Sequence, residues 1–67
     1  MTASDFVIGV VYSAAQIISA HGQPTIAEDL LNTVAKPDDD LTGCAEYDLD
    51  IIRRNIHSWS NVKKGTE

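Results

Sequence analysis

Asp38, Asp40, Thr42 and Gly43 stand at the spacing of positions one, three, five and six of a calcium-binding EF-hand loop. In such a loop alternate oxygens surround the ion, glycine makes the sharp turn, and position twelve is a bidentate glutamate. Position twelve here is Leu49, and Cys44 and Ala45 follow the glycine. The segment therefore reads as a polar turn whose acids favour the start of a following helix, and no calcium site is expected.

Cys44 and His57 are the other residue types suited to chemistry, as a nucleophile and its base. Placed on one helix they lie 13 positions apart, about 20 Å at ~1.5 Å per residue. They cannot meet within one chain, and no orienting group or oxyanion donor is marked, so catalysis is not expected. His21 reads as a helix C-terminal residue favourable to the dipole, and His57 as a boundary residue of an amphipathic helix. One cysteine and two distant histidines lack zinc-ligand spacing, so no metal or cofactor is implied.

The elements that must position these residues are helical. Apolar residues from Ala3 to Ile18 fall into two adjacent seams, Ala3, Val7, Val10, Ala14, Ile17 and Ile8, Val11, Ala15, Ile18, stepping by three or four. This predicts a helix over 3–21, capped by Thr2 with Asp5 behind it and stopped at His21-Gly22. Pro24 before Thr25-Ile26-Ala27-Glu28 predicts a second helix over 25–36, with Thr25 as cap, Ile26, Leu30 and Val34 as inner stripe, and an end enforced by Pro37. A third helix over 44–60 follows from the register Ala45, Leu49, Ile52, Ile56, Trp59. The expected fold is all-α, a small three-helix unit forming one domain over 1–60, with 61–67 as a frayed tail.

A chain of 67 residues buries only about 60% of its extended surface and is marginal alone. Disulfide stapling within the chain is excluded, because Cys44 is the only cysteine; this fits a reducing, cytoplasmic setting. The apolar stretch from Phe6 to Ile18 falls short of the roughly 20 residues a membrane span needs, and no basic segment precedes it, so neither a span nor a signal peptide is expected. A surface helix of a small domain needs one apolar stripe, whereas helix 1 has two. Either helices 2 and 3 sandwich it or a second copy covers the extra seam. The brevity of the chain favours a homodimer with Val7, Ile8, Val11, Ala15 and Ile18 at the interface.

Charge is distributed unevenly around the net value of −5. Residues 23 to 50 carry eight acids against Lys36, whereas Arg53, Arg54, Lys63 and Lys64 follow with Glu67. Asp38, Asp39, Asp40, Glu46, Asp48 and Asp50 form a candidate docking face for a basic protein. The negative field disfavours nucleic acid, and a nucleic-acid-binding regulator using Arg53, Arg54, Lys63 and Lys64 is the alternative. A helix-turn-helix would need a shorter and less acidic connection between helices 2 and 3.

The stretch His21-Gly22-Gln23-Pro24-Thr25-Ile26-Ala27-Glu28-Asp29-Leu30-Leu31, together with the chain's brevity and acidity, resembles small acidic helical accessory proteins encoded by phages and prophages. The resemblance implies a non-enzymatic protein that tunes host or phage processes by binding, as an inhibitor of host defence or a regulator of development, in the host cytoplasm. It transfers no functional residue.

Overall fold

A computed structural model describes residues 3–63. It contains α1 (Asp5–His21), α2 (Pro24–Val34) and α3 (Glu46–Asn55), followed by a 3-10 turn, His57–Trp59. Helix α1 is central, packing against both α2 and α3. The described residues contain no strand, and none of their helices is long and apolar enough to cross a membrane.

Local chemistry explains each boundary. Ser4 adopts extended backbone and its hydroxyl accepts from the Val7 N–H at 3.2 Å, so it takes the capping role expected of Thr2, which lies outside the described residues. Gly22 closes α1 in the left-handed region, φ 63°, where its own N–H and that of Gln23 satisfy the carbonyls of Ile18 and Ile17. The cap expected at Thr25 is corrected: Pro24 occupies the first turn, with Gln23 before it, because proline's fixed φ and missing N–H suit the first helical position. Ala35 is already extended, two residues before Pro37, and ends α2.

The third helix differs most from expectation. It starts at Glu46, with Ala45 exposed as its cap, and stops at Asn55. The Asn55 side chain donates to the Ile51 carbonyl at 2.8 Å, competing for an acceptor of the helical ladder. Ile56 then turns extended and the chain re-enters as the 3-10 turn. This break directs Ile56, Trp59 and Val62 into the core, each below 5% exposure. Val62, expected in the frayed tail, is therefore structural.

The core combines Val11, Ala14, Ala15 and Ile18 of α1 with Ala27 and Leu31 of α2 and Leu49, Ile51 and Ile52 of α3, sealed by Trp59. Val11 is 0% exposed and Ala15 1% exposed within a single chain. The seam assigned to a second copy is thus corrected. Val11, Ala15 and Ile18 face the chain's own helices, and Val7 and Ile8 pack partly buried beside them. Two helices flanking one central helix cover a wider arc than the single stripe assumed from sequence.

Candidate protein-interaction site

The connection from α2 to α3 is built as a series of tight turns. Asp39 Oδ2 accepts from the Lys36 N–H at 2.8 Å, while the Asp39 N–H returns to the Lys36 carbonyl at 3.0 Å. Asp40 Oδ1 accepts from the Thr42 N–H at 3.0 Å, an Asx-type turn. Gly43 has φ 109°, and a Cβ there would stand 3.2 Å from Ile8 Cδ1. The positive φ calls for glycine, and a side chain there would also press on Ile8. The Ala3 N–H, donating to the Thr42 carbonyl at 3.0 Å, fastens this loop to the start of α1.

These turns hold Asp38, Asp39 and Asp40 exposed around a cleft of about 300 Å³ that Leu41, Thr42 and Lys63 complete. Hydrogen bonds from Thr42, side chain first and backbone second, hold the Asp40 carboxyl at about 2, below its usual 3.8. It is ionised throughout the physiological range.

The remaining acids are placed differently. Arg53 grips Glu46 with two nitrogens, at 2.7 and 2.9 Å, and stands 3.7 Å from Asp50, which also pairs with Arg54 at 2.8 Å. The same guanidinium donates through Nε to the Val62 carbonyl at 2.6 Å. Its pKa is raised, chiefly by the hydrogen bonds to Glu46. Asp48 is 7% exposed and burial raises its carboxyl. Asp48 therefore leaves the docking face, a correction: the third position of α3 points it at the core, beside Cys44. The exposed acidic surface contracts to Asp38, Asp39 and Asp40, with Glu46 and Asp50 bridged to arginine at its edge.

For the same reason Arg53 and Arg54 offer little uncompensated charge to a phosphate backbone. Lys63 is exposed beside the acidic cleft, and Lys64 lies outside the described residues. Cys44 is fully buried and its thiol is pushed up by desolvation and by the Asp48 charge. This is the opposite of the environment that activates a thiolate. His57 lies beyond the far end of α3 from it. Leu49, at the position where a calcium loop needs glutamate, is 0% exposed in the core. Among the described residues no group of His, Cys, Asp and Glu could hold a metal ion.

Sequence reasoning missed a second surface. Phe6 is 67% exposed and Ile26 54% exposed. For Phe6 the signal was present, since it belongs to neither α1 seam; the inner-stripe position expected of Ile26 is corrected, because α2 turns Ala27 and Leu31 to the core and leaves Ile26 on its flank. No protein family, curated protein or solved structure matches the chain.

Proposed function

We propose that this protein acts by binding, as a regulatory interaction module, with the Asp38–Asp40 loop receiving lysine or arginine side chains of a basic protein partner. The observation that carries the reading is the cleft itself, lined by three successive carboxylates, two of them fixed by turn hydrogen bonds and one of those held ionised by Thr42. Rigid, exposed anionic groups steer cationic partners and fix their register. Such a role fits an accessory protein of phage or prophage type working in the host cytoplasm.

We also infer that two copies pair, since a chain of 67 residues gains from further burial and leaves large apolar side chains in solvent. Amide-resolved NMR titration with a lysine-rich peptide at low salt tests the acidic site. The expected shifts cluster at residues 38–42 and disappear in the Asp38→Asn/Asp39→Asn/Asp40→Asn variant. A DNA duplex that binds with steep salt dependence, alongside an inert peptide, would replace this reading by the one based on Arg53, Arg54, Lys63 and Lys64.

A further inference from the structure

Helix α1 presents Phe6, Val10, Ser13 and Ile17 in steps of four, three and four, so they share one face. Phe6 and Ser13 are exposed, and Val10 and Ile17 only half-buried. That face looks away from α3, because Ile8, on the opposite flank of α1, is the residue that meets Gly43 just before α3. On α2, Ile26 and Leu30 likewise share a flank. The other flank is occupied by Glu28, which accepts from the Ser58 hydroxyl, and by Asn32, which accepts from Trp59. Helices α1 and α2 are joined by the tight Gly22-Gln23 turn and pack against each other. The two apolar flanks therefore lie side by side on the outer surface of the α1/α2 pair.

Resting on the inference that the chain pairs, we propose that this outer face is the contact between two copies, related by a twofold axis passing near Ser13. Charge points to a like chain as occupant. No charged side chain lies on α1 between Asp5 and His21, so the α1 half of this face is neutral on a protein of net charge −5, with Asp29 at the border of the α2 half. A basic partner gains nothing from a neutral surface, whereas two acidic copies approach here with the least repulsion. Size agrees. With α1 at 17 residues the face is about 25 Å long and two helices, about 20 Å, wide. It would remove roughly 1,000 Å² from both copies together, the lower bound of a specific interface. A twofold axis near Ser13 runs α1 antiparallel to its mate. Phe6 at one end then seats on Ile17 and Ile26 of the partner subunit at the other, and small Gly9 and Ser13 let the helices approach at the centre.

Sedimentation equilibrium on the full chain up to millimolar concentration tests this, with helicity followed by circular dichroism. The wild type is expected at twice 7.3 kDa. Ser13→Arg sets like charges against each other at the axis and should raise the dimer dissociation constant about 100-fold with helicity unchanged. Ile26→Lys, at a second exposed position, should do the same. Tyr12→Arg, half-exposed on the other edge of α1, should leave the dimer intact. A wild type that stays at 7.3 kDa overturns pairing altogether. A dimer that survives both Ser13→Arg and Ile26→Lys keeps pairing and overturns this face.

Discussion

The indole Nε1–H of Trp59 donates to the Asn32 side-chain oxygen at 3.1 Å, joining the 3-10 turn to α2 across 27 positions of sequence. Trp59 is 0% exposed, so its one polar atom would have no solvent to turn to without that oxygen. Asn32→Ala should cost about 1–3 kcal/mol for the orphaned donor. Asn32→Asp, which keeps an acceptor, should cost less. Thermal melts followed by Trp59 fluorescence check the order, and equal losses in the two variants would show that the bond is incidental.

Arg53 gathers the start of α3 and the end of the described chain onto one guanidinium. Two of its nitrogens hold Glu46 and its Nε holds the Val62 carbonyl. A lysine keeps the charge but not the planar fork. Arg53→Lys is expected to destabilise by about 1.5–3 kcal/mol, nearly as much as Arg53→Ala. Hydrogen exchange should quicken first at Val62. Full retention of stability by Arg53→Lys would reduce the arrangement to a surface ion pair.

Two carboxyls shift in opposite directions, with opposite consequences for acid stability. Asp40 is held at about 2 when folded against 3.8 unfolded, so its contribution is present above about 3.8 and is lost as pH falls from there toward 2. Burial raises Asp48 above 3.8, so the folded state binds the proton more tightly. Stability from this group accordingly declines as pH rises from 3.8 through the raised value. Asp48→Asn should therefore melt higher than wild type at neutral pH. The difference should close in acid, where both side chains are neutral. A lower melting temperature at neutral pH would mean that the α3 N-terminus stabilises the carboxylate more than burial penalises it.

Buried Cys44 should react with a thiol reagent only through opening of the fold, because both its burial and the Asp48 charge disfavour thiolate. The labelling rate should rise by orders of magnitude in denaturant. Fast labelling of the native protein would contradict its placement.

Much of the architecture is readable from residue types. Gly22, Pro24 and Pro37 punctuate the chain as their backbone limits require, and Leu49 and Ile52 mark the buried side of α3, whereas Ile56 and Trp59 reach the same core through the break after Asn55. Local signals fail where two residues compete for one role. Ser4 and Thr2 both suit a cap; Ser4 takes the role in the structure, directly after Ala3, whose N–H is fastened to the Thr42 carbonyl. Asn55 ends α3 through a side-chain bond that periodicity does not register. The acidic face divides because Asp48 and Asp50 lie two positions apart on α3, so that one turns inward and the other meets arginine. Which α1 seam stays uncovered depends on where α2 and α3 settle around it, a property of the assembled helices.

That allocation on α1 is the claim on which the rest depends, and paired melts of Val11→Glu and Phe6→Glu by circular dichroism test it most directly. Val11 is 0% exposed inside the chain and Phe6 is 67% exposed outside it. Val11→Glu should abolish cooperative unfolding, whereas Phe6→Glu should keep its helices and a cooperative melt, lowered only by the stabilisation that pairing adds. A folded Val11→Glu beside an unfolded Phe6→Glu would mean that the two faces of α1 have been assigned the wrong way round.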